Sequence, residues 1–282
     1  MRLAVTGATG KLGRTVTSVL RAAGHQVIGM DVQGERGPDF VKIDLTNYGH
    51  VVDAFMGVDD RHTGFDAVVH LAAIPAPGIY ADAATFHNNM PSTYNVFQAC
   101  RRAGIKKIVY ASSETVLGLP FDEDPPYIPV DEKYTARPES TYSLVKHLEE
   151  QMAIQLTRWD PELSITALRF SNVMDPEDYV EFPSFDADAM ARKWNLWGYI
   201  DGRDGAQAVQ RALDNAGPGF DKFIIAAADT VMSRSSASLA AEVFPDVEVV
   251  KDVGEHETLL SIDHARNVLG FDPQYSWRDH IS

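Results

Sequence analysis

The 282-residue chain is 45% hydrophobic and 23% charged, enough apolar material for one large core or a core plus a small lobe. A formal net charge of -15 argues against nucleic acid and anionic membrane surfaces, which are met by clustered Lys and Arg. The single cysteine, Cys100, excludes an internal disulfide and a cysteine-built metal site, and reads as a small buried hydrophobe on a helix.

The first element is a strand pattern, Leu3-Ala4-Val5, with no basic-then-apolar leader before it. No apolar run in the chain approaches the roughly 20 residues of a membrane helix, so a cytoplasmic protein is expected. The strand runs into a glycine-rich loop, Thr6-Gly7-Ala8-Thr9-Gly10-Lys11-Leu12-Gly13, and a helical pattern from Lys11 to Ala23 closes at Gly24. In such a loop the first glycine permits the tight turn, the second lets backbone approach a diphosphate, and the third lets helix and strand pack closely. Free N–H groups and the positive end of the helix dipole then hold the phosphates. Gln26 to Met30 predicts a second strand ending at Asp31, 18 residues after Gly13, near the separation expected for a carboxylate on the adenosine ribose. That carboxylate repels a 2′-phosphate and the nearest downstream cation is Arg36, so NAD is expected rather than NADP.

Phe40 to Ile43 predicts a third strand ending at Asp44, and Ala67 to Leu71, Lys107 to Ala111 and Ile165 to Arg169 predict further buried strands. Strands alternating with helices predict an α/β, Rossmann-type doubly wound parallel sheet, with ligands beyond its carboxyl edge. Pro-rich stretches at 119–129 and around 175–183 read as loops. From Met174 the pattern changes to short loops, a helix near 204–216, a strand near 222–226 and a last helix near 261–269. The expected organisation is a dinucleotide-binding domain over 1–173 and a small C-terminal substrate lobe over 174–282, partly interleaved with it.

Tyr142-Ser143-Leu144-Val145-Lys146 lies on a predicted helix, where a four-residue spacing puts the phenol and the ammonium on one face. A free phenol titrates near 10, so a base working near pH 7 needs roughly 4 kcal/mol of differential stabilisation of its phenolate. A neighbouring ammonium acts in that direction.

The glycine spacing, the later Tyr-x-x-x-Lys pair and the strand-end serines together resemble the extended short-chain dehydrogenase/reductase superfamily, in its NAD-dependent epimerase/dehydratase branch. The resemblance runs nearly the whole length, to Ile262-Asp263-His264-Ala265-Arg266 and Leu269-Gly270-Phe271-Asp272-Pro273. It implies NAD held by Gly7, Thr9, Gly10, Lys11, Leu12, Gly13 and Asp31. It further implies Asp44 and Leu45 at adenine, and Leu71, Ala72 and Ala73 along the cofactor. Asn89 supports the active site, and Tyr142 and Lys146 contact the nicotinamide end. The implied catalytic set is Ser113, Tyr142 and Lys146: Ser113 holds the reacting oxygen and Tyr142 moves its proton. Ser112 aligns less well. Ser113, Glu114 and Asn172 are the substrate-side residues; Glu114 is either a second acid/base or a solvated loop carboxylate.

In relatives that bind nucleotide sugars, the segment after Asn172 is long. Here Tyr199-Ile200-Asp201, similar to the next fixed element, arrives after 26 residues. That interval carries Asp175, Glu177, Asp178, Glu181, Asp186 and Asp188 and no Lys or Arg between Arg169 and Arg192, a stretch that disfavours a diphosphate unless it faces away from the site. The short form resembles uronate dehydrogenases, although Ile74-Pro75-Ala76-Pro77 stands where those enzymes place polar residues, and their carboxylate-binding arginine is matched only by Arg192 or Lys193 through proximity. The expectation is an NAD-dependent oxidoreductase of a free sugar, sugar acid or similar small hydroxylated substrate. The alternatives are a nucleotide-sugar epimerase or dehydratase, and a non-catalytic NAD-binding regulator. The histidines, His62 and His70 among them, show no ligand spacing, so no metal is expected. Helices near 83–102 and 140–159 suggest a homodimer by analogy with related folds.

Overall fold

Seven strands build the main sheet: β1 (Arg2–Thr6), β2 (Gln26–Asp31), β3 (Phe40–Lys42), β4 (Ala67–His70), β5 (Lys107–Ser113), β6 (Ser164–Phe170) and β7 (Gly219–Ile225). The structure, a computed structural model, describes residues 1–35, 37–57 and 64–280; Arg36 and His62 lie outside the described residues. Every neighbouring pair is parallel and the order is β7-β6-β5-β4-β1-β2-β3. The chain reverses direction across the sheet between β1 and β4, and that switch opens a crevice at the strands' carboxyl ends. The fold is the expected Rossmann type.

Five helices matter to the site: α1 (Lys11–Ala22), α2 (Tyr48–Met56), α3 (Asp82–Ala103), α4 (Thr141–Trp159) and α5 (Gly202–Asn215). Strand side chains alternate between two cores, which is why the strands read as unbroken apolar runs. Leu3, Val5, Val69 and Val109 meet Val16 and Leu20 of α1 and Ala206 and Val209 of α5 on one face. Ala4, Ile28, Val68 and Ile108 meet Val51 and Phe55 of α2, Val96 and Phe97 of α3, and Ala153 and Leu156 of α4 on the other. Each such fully buried Val, Leu, Ile or Phe contributes roughly 1.5–3 kcal/mol.

β7 and α5 come from the stretch after residue 174 and complete the main sheet and its covering. The remaining lobe packs Tyr179, Phe182, Tyr199 and Trp277 against one another. Asp201 accepts from the Tyr179 hydroxyl and takes two bonds of 2.8 Å from Arg203. The stretch expected as a loop around 175–183 is instead helical: a 3-10 helix over Pro176–Glu181 runs into a helical turn over Phe182–Phe185. Both prolines sit in first turns, where their missing N–H would have no helical partner anyway. Proline punctuation there marks helix starts rather than a break. Among the described residues, no helix is long and apolar enough to cross a membrane.

Candidate active site

A cleft of about 1420 Å³ runs along the carboxyl edge of the sheet, from the glycine loop to the first turn of α4. Gly7, Thr9, Gly10, Lys11, Leu12, Gly13, Asp31, Asp44, Leu45, Leu71, Ala72 and Ala73 line one part of it. Ser113, Glu114, Tyr142, Lys146 and Asn172 line the other. The expected cofactor, catalytic and substrate residues therefore line one cleft, except Asn89.

The loop end is bare backbone by necessity. Gly7 has φ +69°, and a Cβ on Gly13 would lie 1.9 Å from the Gly7 carbonyl oxygen. α1 starts at Gly10 with no side-chain cap and no acid in its first turn, so the N–H groups of Lys11, Leu12 and Gly13 are the orphan donors of an uncapped helix. A diphosphate fits that arrangement. Asp31 is fixed at the tip of β2, its Oδ2 accepting from Thr9 N (3.1 Å) and Thr9 Oγ1 (2.7 Å) and its Oδ1 from Gln33 N (3.3 Å). Asp44 takes two bonds from Thr46, side chain first, which hold its carboxyl below the usual range. Asn95 of α3 donates to the Leu45 and Thr46 carbonyls and pins that wall (2.8 and 3.0 Å). Asn89 is buried behind the cleft rather than in it. Its amide grips the backbone of Ile74, accepting from N (2.8 Å) and donating to O (3.0 Å), so it shapes the cleft wall from behind.

α4 starts on a Ser140/Ser143 capping box, which fixes Tyr142 in the first turn beside the end of β5. The Lys146 nitrogen stands 5.9 Å from the Tyr142 ring centre and donates to Ala111 O (2.8 Å) and Glu149 Oε2 (3.0 Å). Ser113 Oγ is tied to Thr115 and lies in the cleft, whereas Ser112 Oγ donates to Glu150 (2.7 Å) and is committed to the interior. Glu150 in turn holds Arg169 through two bonds of 2.8 and 2.7 Å.

Electrostatics qualify the expectation that Lys146, together with a positive nicotinamide ring, prepares Tyr142 as a base. Burial is the largest influence and raises the phenol above its ordinary value. Lys146 and Ser113 pull it down, and the negative charges of Glu149 and Glu114 push it up again. The protein's own groups therefore leave the phenol high. For Lys146 itself burial acts downward, but Glu149 and Tyr142 outweigh it and the ammonium is held charged. Glu114 is not a solvated loop carboxylate: it is buried, with one oxygen accepting from Asn195 (3.3 Å). Burial pushes its carboxyl up to about 7, against the pull of Ser171, Asn195 and Arg192.

The acids of the lobe face away from the cleft, and its two basic candidates stand outside it. None of the six acids between 175 and 188 lines the cleft. Asp178 instead pairs with Lys11 and accepts from Asp175 N (2.7 Å), Asp186 accepts from Ser233, and Asp188 caps the turn at Met190. Contacts with Lys11 and Ser233 and the turn at Met190 engage Asp178, Asp186 and Asp188 away from the cleft. Arg192 and Lys193 also turn away. The Arg192 guanidinium stacks between Phe185 and Trp194 (5.0 Å each) and donates to Gly198 O, while Lys193 faces Asp124. Among the described residues, no cluster of His, Cys, Asp and Glu is arranged to hold a metal.

Thr93 and Glu149 stand in no motif of the sequence, yet with His70 they form a buried chain behind Lys146. Glu149 was within reach, since a carboxylate three residues after a lysine on a helix is its neighbour. Thr93 carried no comparable signal.

The family model described as NAD dependent epimerase/dehydratase matches residues 3–226. UDP-glucose 4-epimerase 2 of rice, Oryza sativa subsp. japonica, is 29% identical over 187 residues, 60% of this chain and 43% of that enzyme. L-arabinose 1-dehydrogenase (NAD(P)(+)) of Haloferax volcanii is 36% identical over 115 residues, 41% of this chain and 42% of that one. The chain thus spans less than half the length of these two relatives. A short-chain dehydrogenase/reductase superfamily protein from Agrobacterium tumefaciens, solved with bound NAD, superposes with a TM-score of 0.74 at 24% identity, covering 99% of this chain and 94% of its own.

Proposed function

The chain belongs to the NAD-dependent epimerase/dehydratase family, and from that premise we propose that it is an NAD-dependent dehydrogenase of a free sugar or similar small hydroxylated substrate. The observation that carries this reading is the cleft's lining. Among the described residues it includes no arginine, and its lysines are Lys11, paired with Asp178, and Lys146, engaged by Ala111 and Glu149. A nucleotide diphosphate or a sugar carboxylate needs cationic partners that this wall does not offer beyond the glycine loop. An uncharged polyol asks only for hydrogen-bonding groups, which Ser113, Glu114 and Asn172 supply.

In this reading residues 1–173 hold NAD, and 174–282, apart from β7 and α5 of the main sheet, supply the substrate-facing lobe. The uncapped start of α1 holds the diphosphate, Asp31 bonds the adenosine ribose, and Asp44 and Leu45 flank adenine. When bound, NAD⁺ accepts the hydride and brings a positive nicotinamide ring. The chain's own part is to hold and move a proton. Ser113 Oγ orients the substrate hydroxyl, Tyr142 Oη removes its proton, and Lys146 stabilises the phenolate formed. Burial excludes water from the Tyr142–Lys146 pair, which strengthens that attraction.

A second reading, a nucleotide-sugar epimerase, is favoured by the rice relative and uses the same residues. It differs in outcome, because the hydride returns to the substrate and no NADH accumulates. Incubation with NAD and a panel of aldoses, polyols and uronates, followed by NADH absorbance, separates the two. Steady NADH formation with a neutral sugar, abolished in Tyr142→Phe with NAD binding retained, supports the proposal. Epimerisation of UDP-sugars without NADH overturns it. We further propose that the protein is cytoplasmic and pairs through α3 and α4, whose Tyr94, Leu144, Ile154 and Trp159 are exposed.

A further inference from the structure

Behind the Tyr142–Lys146 pair the side chains form a continuous series whose direction can be assigned. Glu149 is fully buried, with Oε2 held by Lys146 (3.0 Å) and Oε1 by the Thr93 hydroxyl (2.6 Å). A carboxylate only accepts, so Thr93 donates its one proton to Glu149. His70 Nε2 stands 3.0 Å from the same Thr93 oxygen and must then be the donor to it. His70 Nδ1, 2.7 Å from Thr6 Oγ1, is left as an acceptor, so Thr6 donates to it. Thr6 Oγ1 in turn accepts from Ala72 N at 3.4 Å. The result is a one-way series from the Ala72 N–H, through Thr6, His70 and Thr93, to the Glu149 carboxylate. It requires a neutral His70 with its proton on Nε2. Burial, helped by the Lys146 charge, lowers that imidazole's pKa to about 3 and keeps it neutral.

We infer that Glu149 is a positioning residue that sets the charge felt by Tyr142, clamping Lys146 against Ala111 O while supplying an anion that opposes formation of the phenolate. The inference rests on the reading of Tyr142 and Lys146 given above. The series also joins Lys146 to Ala72, in the segment that lines the cofactor part of the cleft. The groups bearing on Tyr142 are Lys146 and Glu149 from α4, Ser113 from the end of β5, and Glu114 just beyond it. Lys146 feels Glu149, Tyr142 and Glu150. Of these, Glu149 touches the ammonium directly, so its charge can be removed while Lys146 keeps its bond to Ala111.

The test is Glu149→Gln in the full chain, read by the pH dependence of kcat/KM for NADH formation. A side chain that only fills space would lower activity or stability without moving the profile. The inference expects the acid limb to move to lower pH by about one unit, because an anion near the phenolate is gone. An unmoved limb, or one displaced to higher pH, overturns it. If E149Q does not fold, 15N NMR of the unsubstituted protein serves instead. His70 is expected as the neutral Nε2–H tautomer throughout about pH 5–9, and an Nδ1–H tautomer or a titration in that range overturns the series. Tyr142→Phe distinguishes the two levels. Residual full turnover there removes the catalytic reading itself, whereas a dead Y142F with an unshifted E149Q removes only this inference.

Discussion

Replacing Gly13 by alanine adds one carbon at the point where α1 leaves the glycine loop. That Cβ would sit 1.9 Å from the Gly7 oxygen, 2.8 Å from the Gly7 carbonyl carbon and 3.0 Å from the Ala8 Cα. All three are backbone atoms, so no rotamer relieves the overlap. Reaching the 3.4 Å of ordinary contact parts loop and helix by about 1.5 Å. Hydrogen bonds to a phosphate tolerate only about 2.7–3.2 Å, so a shift of that size removes one or two of the α1 donors from reach. At roughly 1.5–3 kcal/mol per bond to a charged group, the loss is about 1.5–6 kcal/mol. That corresponds to NAD binding weakened by about 10-fold to more than 10,000-fold. Strain in the packed loop adds about 1–3 kcal/mol of destabilisation and lowers Tm by several degrees. Titration calorimetry with NAD and a thermal scan measure the two effects separately. An affinity within about threefold of the parent's, with Tm unchanged, refutes the claim that this loop cradles the diphosphate.

Other outcomes follow from the same geometry. Asp31→Ser removes the carboxylate that faces a 2′-phosphate, so the preference for NAD over NADP should fall by about tenfold or more, as about 1.4 kcal/mol of lost discrimination requires; competitive binding of the two dinucleotides checks it. The buried Glu114 carboxyl titrates near 7 in the fold against 4.5 as its ordinary value, so the folded state binds its proton more tightly. The stability this gives is present below pH 4.5 and is lost as pH climbs toward 7. Glu114→Gln should therefore raise Tm relative to the parent more at about pH 8 than at about pH 5, and an equal effect at both contradicts the burial argument. Glu150→Gln breaks the two-bond pair with Arg169, which is fully buried, and should cost about 3–5 kcal/mol in chemical denaturation. Light scattering should report a dimer that Trp159→Glu, on the exposed end of α4, converts to a monomer.

Much of the sheet was legible because parallel strands buried on both faces leave unbroken apolar runs such as Ala67–Val69, and because a side chain at Gly7 or Gly13 would collide with backbone. The site was legible as far as its chemistry is local in sequence: the four-residue step from Tyr142 to Lys146 survives into three dimensions because a helix imposes it. What stayed hidden depended on packing between distant segments. Glu114 reads as loop polar in sequence and becomes a buried acid only when Asn195 and Arg192 close over it. The acids from Asp175 to Asp188 look like a negative wall, yet caps and the Lys11 pair draw them away from the cleft. Asn89 was legible as a helix polar residue near the site, but its grip on Ile74 appears only once α3 lies against the segment after β4.

The most direct test follows the hydrogen itself. The chain is incubated with NAD⁺ and a panel of perdeuterated neutral aldoses, and the released dinucleotide is analysed by mass spectrometry. The account predicts deuterated NADH accumulating in step with oxidised sugar, and none with Tyr142→Phe. Unlabelled dinucleotide throughout, together with inversion of a nucleotide sugar supplied in parallel, contradicts it.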